Sequence, residues 1–306
     1  PSVLPKKARI FQLPRLGDYE IHQGPTGFSS IRQLSSGEVM HSVNRPEEEA
    51  NKLYVEQARL ASRMIKTDTR GHELVVWDVG LGAASNAMAV IRCFEKELAD
   101  HGSGALRSLR LVSFERDMDP LKLAASKAGY FPHVRHGAPE SILTKGHWTH
   151  RSGGMHWELL HGDFLELFPH ARPPDLIFYD PFSSKTDSLL WTRETFARIF
   201  QACAPKPVEL YTYSAATAAR VALLSAGFFV GEGVGTGPKA TTTIAFTTAD
   251  SAAKHPLTPR LLTADWLARW RRSSSKIPAS IPPEARFKFE QSIEMHPQFL
   301  ARSSCP

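Results

Sequence analysis

Residues 75–88 read VVWDVGLGAASNAM: an apolar run ends on Asp78, glycines follow at Gly80 and Gly82, and a helix-forming stretch containing Asn86 begins at once. A turn of this kind lets a ligand approach backbone N–H groups at a helix N-terminus, which suits a nucleotide-type cofactor. A dinucleotide fingerprint wants a further glycine three residues after the second, and Ser85 stands there. S-adenosyl-L-methionine has no phosphate; it needs an acid for its amino group and another for its ribose. Asp78 suits the first role, directly or through water. Glu115, ending the apolar run in LVSFERD, suits the second, because one carboxylate accepts from both ribose hydroxyls. Gly82 and Glu115 are 33 residues apart, against roughly 20 in a dinucleotide fold, and the insertion ADHGSGAL accounts for the difference.

Two more acids follow later apolar runs. Asp163, in LLHGDFLEL, is placed to accept the adenine amine, to cap a helix, or both. Asp180 opens Asp180-Pro181-Phe182, which resembles the [DN]-P-P-[FYW] turn of amino methyltransferases, a rigid turn that presents a polar side chain and a carbonyl to the amine being methylated. Ligands bind outside the carboxyl ends of strands in open α/β sheets, so acids at four successive strand ends are expected to converge. Thirteen histidines raise the question of a metal, especially His147, His150 and His156. They lack helical i, i+4 spacing and a cysteine partner, so residues 136–155 are expected to be a mobile loop, with no metal. No G-x-S-x-G elbow occurs.

These residues need a frame. Apolar runs over 74–79, 108–114, 157–160, 175–179 and 208–213 read as strands; helices are expected over 84–100, 118–127, 192–202 and 215–226. Strands separated by helices imply a parallel sheet wound on both sides. The last two runs, 228–230 and 241–246, have only a glycine-rich link between them and should pair antiparallel. The expectation is an α/β, Rossmann-like domain over 46–250 with a seven-stranded, mostly parallel sheet. Before it, 1–45 read as a β-rich extension with strands over 8–13, 19–22, 27–34 and 38–42. One continuous amphipathic helix is expected from Pro46 to about residue 65, with Pro and three glutamates in its first turn. After the domain, 251–306 form a basic tail in which TADWLARWRR is helical and packs through Trp266, Leu267 and Trp270.

The 306 residues, 42% apolar, suffice for one large domain with extensions, and no stretch approaches a membrane span. The start PSVLPKKARIF lacks a signal-peptide core, and three well-separated cysteines give no disulfide framework, so a cytoplasmic, reducing location is expected. Net charge is +6, distributed as +3 over 1–45, −2 over 46–250 and +5 over 251–306. Basic flanks around a near-neutral centre suit a polyanion partner or ordinary solvated surface.

The motifs resemble those of the MnmC-like methyltransferases, from about His41 to Phe246. The resemblance rests on Met40-His41-Ser42, Tyr54-Val55, GLGAASN with Asn86, Ser113-Phe114-Glu115, Gly162-Asp163, Asp180-Pro181-Phe182-Ser183, Leu190-Trp191-Thr192, and Tyr211-Thr212-Tyr213-Ser214 with Ala226-Gly227-Phe228. It implies a class I S-adenosylmethionine-dependent fold with an antiparallel last strand. The implied activity methylates the primary amine of 5-aminomethyl(-2-thio)uridine at the tRNA wobble position. It implies cofactor contacts from Asp78, Gly80, Gly82, Asn86, Glu115, Asp163 and Asp180, and catalysis by Asp180 and the Pro181 carbonyl. Substrate contacts would come from His41, Phe182, Lys185, Tyr213 and Lys239, with Trp191 as core or stacking residue. The anticodon loop would meet Lys6, Lys7, Arg9, Arg269, Arg271 and Arg272. The sequence departs from the family at Ala83 and Ala84, and contains no FAD-dependent oxidase half, so a separate oxidase or a ready-made aminomethyl substrate is implied. Methylation of another amine, in a small molecule or protein, and non-catalytic RNA binding remain alternatives.

Overall fold

The computed structural model describes residues 13–41, 44–66, 72–236, 240–255, 260–273, 276–278 and 281–300. Strands β1 (Arg15–Leu16), β2 (Tyr19–Gln23) and β3 (Ser29–Gln33) form an antiparallel meander. The expected strand over 8–13 falls almost wholly outside the described residues. Among the described residues 38–41 of the strand expected over 38–42 no strand forms; Val39 makes only an isolated bridge to Arg32. Its neighbours are drawn elsewhere, Glu38 to Ser183 and His41 to Glu49.

The single helix expected from Pro46 is broken into α1 (Pro46–Ala50), a π-helical stretch (Asn51–Glu56) and α2 (Leu60–Met64). Arg59, in the left-handed region at φ 51°, ends the first part. The wider π turn still buries Leu53, Tyr54 and Val55, so the apolar pattern survives while hydrogen-bond registry changes.

The larger unit alternates strands and helices. Its first half runs β4 (Leu74–Val79), α3 (Ser85–His101), β5 (Leu109–Glu115), α4 (Asp119–Ser126), α5 (Gly137–Lys145), β6 (His147–Thr149) and β7 (Met155–His161). Its second half runs α6 (Phe164–Leu167), β8 (Leu176–Tyr179), α7 (Arg193–Cys203), β9 (Glu209–Thr212), α8 (Thr217–Ser225), β10 (Phe229–Gly233) and β11 (Thr242–Phe246). Helix α9 (Ala249–Lys254), strand β12 (Arg260–Leu261) and helices α10 (Ala264–Arg271), α11 (Arg286–Glu294) and α12 (Pro297–Leu300) come last. The sheet order is β12-β10-β11-β9-β8-β4-β5-β7-β6. The seven expected strands are all present, five of them in one parallel run, with β11 antiparallel to both β9 and β10. The short antiparallel edges β6 and β12 are additions that the sequence pattern does not signal.

Strand β4 explains the layering. It is buried throughout; Leu74 and Val76 enter one core with α3, whereas Val75, Trp77 and Val79 enter the other with α7 and α8. Trp266, Leu267 and Trp270 of α10 join that second core, as expected. Beyond them the Gln298 side chain bonds the backbone of Val230 in both directions (2.7 and 2.8 Å), continuing the hydrogen bonding of the sheet edge.

The segment expected as a mobile loop, 136–155, contains α5 and β6. His136 caps α5 by accepting from the Ala138 N–H, and β6 pairs with β7. Its Gly, His and Ser content hides a helix of nine residues with only Ala138, Pro139 and Ile142 buried. His147, His150 and His156 bond to Lys145, Ser152 and Thr149, and the described residues hold no group of three or more metal-ligating side chains. Cys93 and Cys203 are free thiols, and no described helix is long and apolar enough to cross a membrane.

Candidate active site

The carboxyl ends of β4, β5, β7 and β8 open onto one cavity of about 880 Å³, within the size range of small-molecule sites. Glu115, Asp163 and Asp180 line it, as do Gly80, Gly82 and Asn86 from the first turn. The opposite wall comes from the N-terminal meander and the segment joining it to α1 and the π-helical stretch. Tyr19, Gln33, Glu38, Met40 and His41 line the cavity there, with Glu49 and Tyr54. The β-rich extension is therefore part of the site rather than a flank beside it.

Gly80, at φ +90°, is required by a close approach: a Cβ there would lie 2.7 Å from the Asp180 carbonyl oxygen and 3.0 Å from the Pro181 Cα. The two functional turns are thus pressed backbone to backbone. Gly82, at φ +52°, faces the Met40 sulfur and gives its N–H to Glu115 Oε2 at 3.0 Å. Glu115 Oε1 accepts from the N–H groups of Arg116 and Asp117, so the carboxylate is fixed on both sides. Burial still holds its acidity constant above the ordinary range, those backbone bonds opposing.

Asp180 is oriented by Asn86, whose amide Nδ2 donates to Oδ2 at 2.7 Å. Burial pushes the Asp180 carboxyl up to about 6, against the lowering influence of His41, Asn86 and Tyr54. The buried Tyr54 hydroxyl lies beside Asp180 without a well-aligned hydrogen bond. His41 sets its Nδ1 3.4 Å from Glu49 Oε2. Burial depresses its pKa, but the bond and charge of Glu49 outweigh this and the net shift is upward.

Of the two ways read for Asp78 to meet an amino group, directly or through water, its position behind the cavity wall leaves no direct contact. It is wholly buried and does not line the cavity. Register pairs it with Ser113, whose hydroxyl donates to Asp78 Oδ2 at 2.8 Å and accepts from Trp157 Nε1 at 2.9 Å. Burial pushes Asp78 up to about 7, with the charges of Asp180 and Glu115 adding to the rise. β4 turns this side chain into the sheet and leaves Asn86, in the first turn of α3, as the polar group that reaches the cavity.

Asp163 both lines the cavity and caps α6, accepting from the Leu165 N–H at 2.7 Å. The Pro181 carbonyl already accepts from the Tyr213 hydroxyl at 3.2 Å, leaving it one lone pair for a ligand. Phe182 lines the cavity, and its carbonyl accepts from Trp191 Nε1 at 2.8 Å. Trp191 itself is a core residue between Tyr179 and Tyr213, not a cavity residue. Lys185 is exposed at the rim. Lys239, Lys6, Lys7 and Arg9 lie outside the described residues. Among the tail arginines, Arg271 is exposed and paired to Glu294 at 2.8 Å, and Arg272 is exposed at the end of α10. Arg269 is exposed as well.

Sequence reasoning misses Glu38, Glu49 and Tyr54 as site residues. Glu49 reads as an acid at a helix start, and Glu38 lies beside a turn; neither belongs to a motif with chemistry of its own.

The residues present fit S-adenosylmethionine. Asn86 lines the cavity and its buried Oδ1 has no hydrogen-bond partner, an acceptor that a cationic amino group would satisfy. Glu115 also lines the cavity, its carboxylate held by three backbone N–H groups, an acceptor of the chemistry a ribose diol requires. Residues 134–248 match a family described as "S-adenosyl-L-methionine-dependent methyltransferase". The chain is similar in structure to MnmC2 from Aquifex aeolicus, with a TM-score of 0.63 and 19% identity over 92% of this chain and 86% of that one. The chain has an MnmC2-like fold, and its residues 134–248 carry the match to the S-adenosylmethionine-dependent methyltransferases. The O-methyltransferase TomG from Streptomyces achromogenes, solved in complex with SAM, is more distant: TM-score 0.35 and 13% identity over 67% of this chain and 91% of that one. The family match begins after the glycine turn, at Val134, and takes in Asp163, Asp180-Pro181 and Tyr213.

Proposed function

We propose that this protein is an S-adenosylmethionine-dependent methyltransferase acting on a primary amine, converting 5-aminomethyl(-2-thio)uridine to 5-methylaminomethyl(-2-thio)uridine at the wobble position of tRNA. The observation that carries the reading is Asp180: a buried carboxylate, oriented by Asn86 and backed by the glycine turn, at the head of an Asp-Pro-Phe turn in the cofactor cavity. Bound there, S-adenosylmethionine supplies an electrophilic methyl group on a good leaving group. The protein's task is to hold an uncharged amine in line with it. Asp180 accepts a hydrogen bond from that amine, and the remaining lone pair of the Pro181 carbonyl accepts a second. Glu115 takes the ribose hydroxyls, Asn86 with Asp78 behind it faces the amino group, and Asp163 reaches the adenine edge.

A wobble base is in a single-stranded loop and enters such a cavity without opening a helix. Phe182 and Tyr213 form the apolar side of its path, and Lys185 at the rim suits a phosphate. Arg269, Arg271 and Arg272 are assigned to phosphates more remotely. The division into a β-rich extension, a 46–250 catalytic domain and a basic tail is part of this proposal, as is a cytoplasmic location. Exposure of the amine falls to an FAD-dependent oxidase, or the cell supplies the aminomethyl form directly.

The test is transfer of labelled methyl to tRNA carrying the wobble aminomethyl group, beside small amines and unmodified tRNA. Transfer to the first alone, reduced about 100-fold or more by Asp180→Ala, supports the reading. Transfer to small amines only, or D180A activity within about threefold of wild type, contradicts it.

A further inference from the structure

An aliphatic amine is mostly protonated near neutral pH, and a protonated amine has no electron pair to donate. The site therefore needs a proton acceptor, and Asp180 is poorly suited: Asn86 occupies its Oδ2, and its task is to orient the amine. We propose that His41, held by Glu49, is the group that takes the proton from the substrate amine, an inference that rests on the amine-methylation reading.

The geometry is that of an oriented base. The His41 backbone N–H is anchored to the Ser30 hydroxyl of β3 at 3.1 Å, fixing the residue at the cavity wall. Its Nδ1 faces Glu49 Oε2 at 3.4 Å, and the two side chains retain only 14% and 15% exposure. Both line the same cavity as Asp180. With Nδ1 given to Glu49, Nε2 is the nitrogen left for substrate, the division of labour found wherever a carboxylate orients a catalytic imidazole. Glu49 from α1 and Asp180 from the turn after β8 are the charges that face the ring, and Tyr54 and Tyr213 stand against those two acids. Both charges favour the imidazolium, which makes neutral His41 a stronger base than an isolated histidine. It is also a stronger base than Asp180, whose carboxyl lies at about 6, and so is closer to the amine in proton affinity.

In the step itself, one N–H bond of the substrate ammonium breaks and its electron pair stays on nitrogen. The proton forms a bond with the Nε2 lone pair, giving an imidazolium whose Nδ1–H is paired to the Glu49 carboxylate. Positive charge is conserved, moving from substrate to His41. The neutral amine then uses its pair to form the new N–C bond while the methyl–sulfur bond of the donor sulfonium breaks, its pair staying on the departing neutral thioether, and the product leaves as a secondary ammonium. His41 returns its proton to water once the site reopens.

The experiment measures single-turnover methyl transfer to aminomethyl-bearing tRNA from about pH 6 to 9.5 with wild type, His41→Gln, Glu49→Gln and His41→Ala. His41→Gln is expected to lose about 100-fold at neutral pH, with a rate rising about tenfold per pH unit until the amine loses its own proton. Added imidazole restores part of the rate of His41→Ala. Cofactor affinity of His41→Gln by calorimetry stays within about twofold of wild type. Independently of activity, the ¹⁵N titration midpoint of His41 falls in Glu49→Gln. A His41→Gln profile superimposable on an active wild type, or an unmoved midpoint in Glu49→Gln, overturns this inference alone. A wild type that binds cofactor yet is inactive on this tRNA removes the substrate reading, and this inference with it.

Discussion

Glu38 accepts hydrogen bonds from both the backbone N–H (2.8 Å) and the hydroxyl (2.9 Å) of Ser183, tying the N-terminal meander to the loop beyond Asp180-Pro181-Phe182. Thr186 Oγ1 donates to the same carboxylate at 2.6 Å. The meander thereby sets the position of the loop on which Lys185 sits. Charge-assisted bonds to a part-buried carboxylate contribute more than neutral ones, so Glu38→Ala is expected to cost about 2 kcal/mol. Thermal unfolding should show the loss, with kcat/KM for methyl transfer reduced about tenfold or more. Full activity at an unchanged melting temperature would mean the tie is incidental.

Asn86 joins the two halves of the site, donating to Asp180 while its own oxygen lacks a partner. Asn86→Ala leaves a buried carboxylate without that donor, so Asp180 is driven further toward its neutral form. Cofactor affinity measured by calorimetry is expected to fall about tenfold or more, a loss of about 1.4 kcal/mol. Unchanged affinity would remove Asn86 from the cofactor's surroundings.

The buried Asp78 has a signed pH signature. Its carboxyl sits at about 7 in the folded protein, against an ordinary value of 3.8, so between these limits the unfolded chain has given up a proton that the folded one keeps. Stability contributed by this residue is present below about pH 4, is lost progressively up to about pH 7, and stays lost above it. Asp78→Asn has no such proton to lose. Its melting temperature relative to wild type should climb as pH rises from about 5 to 8; a gap constant across that range would show that Asp78 is ionised in the fold.

Ala84, one of the two positions in the glycine turn at which the sequence departs from the family it resembles, adopts φ 65°. A left-handed non-glycine residue costs about 1–2 kcal/mol. Its methyl is fully buried, worth about 0.8 kcal/mol, and alanine restricts the unfolded chain by about a further 0.4–1 kcal/mol. The terms nearly cancel. Ala84→Gly is expected to move the melting temperature by less than about 3 °C and to leave the turn's geometry unchanged, so that methyl transfer stays within about twofold. A large gain in rate would mean that the alanine hampers the site.

The parallel sheet is legible in the sequence because its strands are buried on both faces and read as unbroken apolar runs, Leu74–Val79 above all. Strand ends are legible through punctuation: Asp78 before Gly80, Asp180 before Pro181. Sequence marks where a strand ends but not which way its last side chains point, and register with Ser113 puts Asp78 behind the cavity wall. The break after Glu56 is hidden since a π turn preserves the burial of Tyr54 and Val55 that helical periodicity reports. Glu38 and Glu49 cannot be singled out, because their roles come from contacts with a residue 145 positions away in one case and with a histidine outside any helix in the other.

The central claim, methylation of a wobble aminomethyl group, is tested most directly in the tRNA itself. Wobble nucleosides from cells with and without this protein are compared by mass spectrometry. The account predicts that without it 5-methylaminomethyl(-2-thio)uridine is lost and the 5-aminomethyl form accumulates in its place. Identical nucleoside profiles, or loss of a methyl elsewhere in the RNA, would contradict it.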